Sequence, residues 1–424
     1  MKKSALLHAV LVVPTLGFVA CGGGVHITTP PSKLTERVLA SQSASTPTAA
    51  GGLVIIDGEL DTLGRGGISA GTSPGLMAIN PQRTVVLAFD LATNRVNVVD
   101  TAKESLTGTI QLPGPTISMV APVPSAGYAA VPSAPLNGTS PGAVVVMNLT
   151  SGGVSATINV PGAQTVVSNP SGTKILAFSN DSNAVTVVSP ALINSGSPVT
   201  TTVAGFDRPV NAVFSTDGGT AYVLNCGAEC GGTQASVEIL NMASTPPTLG
   251  ALVPVDGATI GFLNGSTLYV VGNSPTNNLC TGQTTAATTC GRLDLVDLGS
   301  MTVTSSAVIT DGYHDRIDMG LGGQLFIGSM DCTNIGNVNN PQGEVRGCLS
   351  IFNTTNSSVV VPPDNGDVTG LQGFTTRYAE YVAEGGNLRV YDTTTDTLLD
   401  TDYITTGTIV ITGVVTDVKA IDFF

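Results

Sequence analysis

The sequence predicts an all-β chain, and three observations carry that prediction. Composition is the first: 11% of the 424 residues are charged and 4% aromatic, while Gly, Ser, Thr, Val and Asn dominate. Such a mixture suits short strands joined by many turns rather than helices. The second is a stretch of alternating apolar residues ending near Asp or Asn that recurs along the whole chain. The third is the clustering of Gly, Pro, Asn and Asp between those stretches, where strands must turn.

In chain order, residues 1–20 come first. Lys2 and Lys3 precede an apolar run from Ala5 to Val13 and then small residues before Cys21. That is a secretory signal peptide, too short and too rich in small residues at its end to act as a spanning helix. The run Phe18-Val19-Ala20-Cys21 resembles the lipobox of bacterial lipoproteins, departing from it at Phe18, where Leu is usual. The resemblance implies cleavage before Cys21 and acylation of that cysteine, and Gly22 in place of Asp implies the outer membrane. Residues 21–35 then read as the lipidated cysteine and a flexible tether, reaching at most ~50 Å when extended. The membrane is expected to be engaged through the lipid alone.

Residues 36–424 form one domain with no internal linker. The recurring stretch begins near Leu53 (LVIID), Val96 (VNVVD), Val144 (VVVMN), Val185 (VTVVS), Val237 (VEILN), Leu293 (LDLVD), Leu349 (LSIFN) and Leu388 (LRVYD). The intervals are roughly 40 to 56 residues, the length of a four-stranded blade. Before most copies lies an apolar strand such as Val85–Phe89 or Ala221–Asn225. Earlier still comes a short strand closed by a turn such as Asn169-Pro170-Ser171-Gly172. After each copy a Thr/Val-rich strand leads to Pro or Gly. The predicted fold is a single β-propeller of four-stranded antiparallel blades, eight by repeat count, with seven as the alternative. The chain enters on a second strand, Arg37–Ser41, and its last residues, Asp417–Phe424, read as an innermost strand. The C-terminus is thus expected to complete the first blade and close the ring.

Ala221-Tyr222-Val223-Leu224-Asn225 and Leu268-Tyr269-Val270-Val271-Gly272-Asn273 resemble the YVTN-type β-propeller repeat. That resemblance implies a fold more than an activity, because propellers host unrelated functions.

Six further cysteines form three close pairs: Cys226/Cys230, Cys280/Cys290 and Cys332/Cys348. Each pair falls between the second and third strands of a blade. Recurrence at one structural position favours local disulfides in an oxidising compartment over zinc, for which Cys-x3-Cys without nearby histidine is a poor site. These loops share a face with the connections between blades. The neighbouring connections hold Asp207 and Arg208, Asp256, the run Asp311 to Arg316, and Asp364 and Asp367. Charged residues are otherwise sparse, so Asp207, Arg208, Asp256, Tyr313, His314, Asp315, Arg316, Asp364 and Asp367 are the candidate ligand-binding set. His314 is the one histidine beyond the signal and tether.

Function is bounded as follows. A net charge of −14 with no basic cluster argues against nucleic acid. The absence of Trp and the single available histidine remove the quinone and haem readings of the fold, so no cofactor is expected. Asp57-Gly58-Glu59-Leu60-Asp61 is acidic enough to suggest calcium but lacks a calcium loop's spacing, and is read as a solvated turn. Ser171 and Lys174 have a hydrolase-like spacing but sit on a turn. The sequence therefore points to a monomeric, lipid-anchored envelope module binding a protein or glycan through the loop face. The alternative is a hydrolase of the lactonase type, with His314 and Asp311, Asp315 or Arg316 as base and oxyanion partner.

Overall fold

In the computed structural model of the protein the described residues are 30–44, 51–136, 140–274, 290–332, 335–337, 340–345, 347–362, 366–399 and 407–422, with backbone alone for 335–337 and 340–345. Cys21, Cys280 and Asp364 therefore lie outside the described residues, as do the signal and most of the tether.

Eight antiparallel sheets make up the ring, each with four strands in sequence order from the axis outward except in blade 1, whose innermost strand comes last in the chain. The copies picked out in the sequence are the third strands. The innermost strands are Val414–Ala420 (blade 1), Pro74–Ile79 (blade 2), Ser118–Val123 (blade 3), Ala163–Ser168 (blade 4), Pro209–Phe214 (blade 5), Ile260–Asn264 (blade 6), Tyr313–Met319 (blade 7) and Val368–Gly373 (blade 8). Each touches the next around the ring. Blade 8 gains a short extra strand, Thr408–Ile409, and blade 7 carries a hairpin, Ile335–Asn337 with Asn340–Val345, between its second and third strands.

Closure follows the expected arrangement. Arg37–Ser43 is the second strand of blade 1, and Val414–Ala420 pairs with it from the inside, matching Val38 with Ala420 and Ala40 with Val418. No innermost edge is left unpaired in blade 1, which is how a ring avoids an exposed template for further strand addition.

The core is distributed. Each gap between adjacent blades is filled by its own apolar cluster, for example Leu87, Phe89, Ala129 and Met147 between blades 2 and 3, and Leu293, Ile309, Leu325 and Ile327 between blades 6 and 7. A third strand such as Ala143–Asn148 is sandwiched on both faces, so its apolar run is continuous. The outermost strands instead alternate with solvent, as in Gly153–Asn159. Truncating a buried side chain such as Ile56 to Ala would cost about 2–5 kcal/mol.

Turn chemistry accounts for the inner hairpins. Asn169 accepts the Lys174 amide at 2.9 Å and donates to Ser171 and Thr173, while Gly172 takes φ 68°, a conformation a Cβ disfavours. Lys174 Nζ reaches Ser189 at 2.8 Å, away from Ser171, so this pair is a turn rather than a nucleophile and its base. The acidic turn differs from expectation. Asp57 caps Glu59 and Leu60 at the surface. Asp61, however, is buried and holds Arg377 through 2.8 and 2.6 Å bonds, and it also accepts from the Tyr381 hydroxyl. The carboxylate that resembled a calcium ligand is one half of a long-range ion pair.

Candidate functional site

Two disulfides close between described cysteines, Cys226–Cys230 and Cys332–Cys348, each with Cα atoms 5.6 Å apart. Cys290 is also disulfide-bonded, at the first residue of its third strand. The bonded cysteines point to an oxidising, extracytoplasmic compartment. Among the described residues, no helix is long and apolar enough to cross a membrane.

Hydrogen bonds tie these loops to the blade connections, so the two do share a face. The Asp207 carboxylate accepts the Thr233 and Gln234 amides at 2.9 and 2.8 Å, pinning the loop of blade 5. Burial pushes Asp207 up, but the Thr233 hydroxyl and the two amides outweigh it and leave it below the usual carboxylate range. Asp256 accepts from Arg292 at 2.8 Å, and its own amide donates to Asp294. Asp367 accepts the Asp331 amide at 2.9 Å. Arg208 reaches Asp181 at 3.3 Å. Two of the sequence-derived candidates, Asp207 and Asp367, are therefore engaged in holding loops, while Asp256 pairs with Arg292 on the third strand of blade 6.

On this face the channel mouth opens into a cavity of about 480 Å³. Its wall comes from the starts of the inner strands of blades 2 to 5 and 7, with Thr259 just ahead of blade 6's inner strand. Tyr313, His314, Asp315 and Arg316 all line it. They belong to the inner strand of blade 7 rather than to the connection before it, which corrects the junction assignment. Pairing runs His314 with Ser329 and then Arg316 with Gly328, so Asp315 is the extra residue of a bulge. The same break recurs at Gln164 in blade 4, Val210 in blade 5 and Gly75–Leu76 in blade 2, and each of these residues lines the cavity. A bulge re-aims the residue it inserts, and here it turns side chains from several blades toward one space. Sequence reasoning missed these residues; a local break in period-two alternation was their available signal.

His314 is 1% exposed. Its Nε2 lies 2.8 Å from the Thr310 carbonyl, which can accept but not donate, so Nε2 carries the proton. Nδ1 is then a bare acceptor, and it has no hydrogen-bond partner. Burial pushes the imidazole down to about 4, against the opposing pull of the Thr310 carbonyl and Asp311, so it is neutral at pH 7. Asp311 itself is buried beside it. Asp315 Oδ2 accepts from Arg316 at 2.8 Å, whereas its Oδ1 is unpartnered. Burial raises the Asp315 carboxyl, Arg316 offsets part of that, and Asp417 adds repulsion. Arg316 also donates through Nε to the Thr369 carbonyl at 2.6 Å.

The rim is apolar. Leu91, Ile117 and Tyr313 are 60%, 63% and 54% exposed around the opening. A second recess of about 270 Å³ continues past Ile117, Val210 and Tyr313 to Arg208. The Cys226–Cys230 staple forms part of the wall through Cys230 and carries a further residue that sequence reasoning missed, Glu229. Its carboxylate accepts the Asn273 backbone and side-chain amides at 2.8 and 2.9 Å, and Asn273 Nδ2 also donates to the Gly312 carbonyl at 2.7 Å. The stapled loop of blade 5 thereby grips blade 6 and the residue preceding Tyr313. Among the described residues, no cluster of three or more His, Cys, Asp or Glu is arranged to hold a metal ion.

No protein-family model matches the chain, and no curated protein matches it in sequence. Solved structures do match, at low identity. Dihydro-heme d1 dehydrogenase NirN, in complex with DHE, is 11% identical with a TM-score of 0.59, over 92% of this chain and 75% of that one. The computationally designed Ika8 protein is 9% identical with a TM-score of 0.55, over 85% and 98%. A candidate 6-phosphogluconolactonase from Bacteroides fragilis is 13% identical with a TM-score of 0.51, over 92% and 98%. At such identities the likeness is one of fold, and the fold is a β-propeller.

Proposed function

We propose that this chain is an exported lipoprotein, anchored through Cys21, whose propeller is a binding module of a bacterial cell envelope. It takes its ligand or partner at the channel mouth. The observation that carries this reading is the cavity itself: about 480 Å³, apolar at its rim, with convergent polar groups on a rigid inner strand. That combination is the usual make-up of a ligand pocket. The stapled loops support it by fixing the wall before any ligand arrives. The YVTN-like strands fit the same reading, since that repeat builds scaffolds for varied partners.

A thermal-shift titration with fractions of the native envelope tests the site. Wild-type protein should be stabilised by at least one fraction, and Gln164→Trp, which fills the cavity, should not respond. If no fraction raises the melting temperature, or the plugged variant responds equally, the mouth is not the binding site. Anchoring has its own test: radiolabelled palmitate should enter the wild-type protein and not Cys21→Ser.

One observation favours a lactonase-type hydrolase as the second reading. His314, a residue of the cavity wall, is neutral and its buried Nδ1 is free of hydrogen bonds, the form a general base needs. Against it, the imidazole is oriented by a backbone carbonyl, no carboxylate is hydrogen-bonded to it, and Asp315 is already paired with Arg316. Comparing wild type with His314→Gln on a panel of γ- and δ-lactones decides the matter: equal rates remove the hydrolase reading.

A further inference from the structure

We infer that the face opposite the mouth is turned toward the membrane, so that the mouth meets a partner in the aqueous space beyond and not the lipid surface. This rests on the anchoring of Cys21 and on the mouth being the binding site. The Pro30 carbonyl accepts the Lys33 amide at 2.9 Å, closing a turn. Within that turn Ser32 donates to Glu104 through its amide at 2.7 Å and its hydroxyl at 2.5 Å. Leu34 packs against the apolar cluster that Leu39, Ile55, Val86 and Val99 form between blades 1 and 2. The root of the tether is thus fixed to the ring as far back as Pro30.

Strand direction places that root. Glu104 lies in the turn between Arg95–Asp100 and Ser105–Gln111, and Asp100 pairs with Val85, the first residue of the second strand of blade 2. Inner strands begin at the mouth, so second strands begin at the opposite end, and Glu104 is there with them. Arg37, which the same carboxylate holds, is the first residue of its own second strand. The tether therefore leaves the ring on the face opposite the cavity. Chain length then separates the two orientations. The nine steps from Cys21 to Pro30 reach ~30 Å at most when fully extended. Strands of six or seven residues at ~3.3 Å each put at least ~20 Å between the root and the mouth. With the mouth down, the tether would use most of its reach descending the outer wall, and holding a chain extended costs conformational entropy. With the opposite face down it needs no extension. The exposed rim residues Leu91, Ile117 and Tyr313 then stand clear of the lipid headgroups.

The chain has no tryptophan, so a single introduced one reports its height above the lipid. Ala102 and Ala243 are exposed in equivalent turns of blades 2 and 5, after their third strands and on the face opposite the mouth. Ile117 is exposed at the mouth. The mature chain is coupled through the Cys21 thiol to a maleimide lipid in phosphatidylethanolamine–phosphatidylglycerol vesicles that also carry a dansyl lipid. Cys226, Cys230, Cys290, Cys332 and Cys348 are disulfide-bonded and do not compete for the maleimide. Energy transfer to the dansyl lipid should remove most of the emission of Ala102→Trp and of Ala243→Trp, and leave most of that of Ile117→Trp. Transfer from Ile117→Trp equal to or above that from either alanine position overturns the inference. Chemical coupling makes this outcome independent of acylation in the cell, which the palmitate experiment judges. The envelope-fraction titration judges the binding-site reading separately.

Discussion

At the far end of the channel, Arg37 donates to Asp422 at 2.7 and 2.8 Å and to Glu104 at 2.9 Å, and Arg83 reaches the carbonyls of Ala420 and Asp422. Nearby, Arg377 joins Asp61 across the seam between blades 8 and 1. At the mouth the corresponding charges are carried by loops and a bulge, and two buried acceptors stay unpartnered around an open cavity. A single strand, Tyr313–Met319, contributes to both ends. It offers Asp315 to the cavity at one end, and at the other sends Asp318 to the Gly373 amide at 2.8 Å. The difference teaches where each kind of interaction is useful. Where the first and last strands meet, Arg37 and Arg377 are each paired with carboxylates and lock the ring. At the mouth, a covalent staple and loop hydrogen bonds hold the wall around the cavity.

Breaking the far end should give the largest effect. Arg37→Ala leaves the buried Glu104 carboxylate and the half-buried Asp422 without their cation and should cost about 3 kcal/mol in urea unfolding. A loss below about 1 kcal/mol would mean that the seam does not depend on this cluster.

Acidity sharpens the contrast. His314 titrates at about 4 in the folded chain against about 6.5 when unfolded, so the unfolded state binds the extra proton between those values. Its contribution is fully present above pH 6.5, is lost as pH falls toward 4, and amounts to at most about 3 kcal/mol. His314→Gln should flatten that slope. Glu380 behaves oppositely at the far end. Burial, with Asp318 nearby, holds it well above the usual carboxylate range, the Gln372 amide offsetting part of the shift, and neither oxygen makes a close hydrogen bond. Its contribution is present below the unfolded value near 4.5 and is lost as pH rises, so Glu380→Gln should gain stability relative to wild type from pH 5 to pH 8.

Opening the first staple comes next. Cys226→Ser with Cys230→Ser should cost about 2 kcal/mol by the loop-entropy argument. Hydrogen exchange should quicken at the Asn273 amide, which Glu229 holds, and stay unchanged at Gly373. The smallest effect belongs to Arg208→Ala. Its partner Asp181 is largely exposed, so the loss should stay under about 1 kcal/mol by chemical denaturation.

How much of this was legible in the sequence depends on the range of the interaction. Third strands buried on both faces leave continuous apolar runs, so all eight could be picked out, and the ring's closure followed from which strand begins and ends the chain. The cysteine loops were legible because a pair recurs at one position in the repeat. Contacts such as Arg37 with Asp422, or Asp61 with Tyr381, join residues more than 300 positions apart and leave no local pattern. The bulges were hidden for a different reason: one inserted residue changes the direction of a side chain without altering composition. His314 through Arg316 were chosen for their chemistry, and the structure does place them together in the cavity wall. Asp207 and Asp367 were chosen on the same ground and accept loop backbone amides, and Asp256 pairs with Arg292, because an acidic residue in a turn looks alike whatever it binds.

Two tyrosines allow the most direct test. Tyr313 at the mouth and Tyr378 at the first hairpin of blade 8 are nearly equally exposed, 54% and 53%, on opposite faces. A photo-reactive benzoylphenylalanine placed at each position in living cells should capture an envelope component from position 313 and not from position 378. Equal capture at both positions, or capture at 378 alone, would contradict the account.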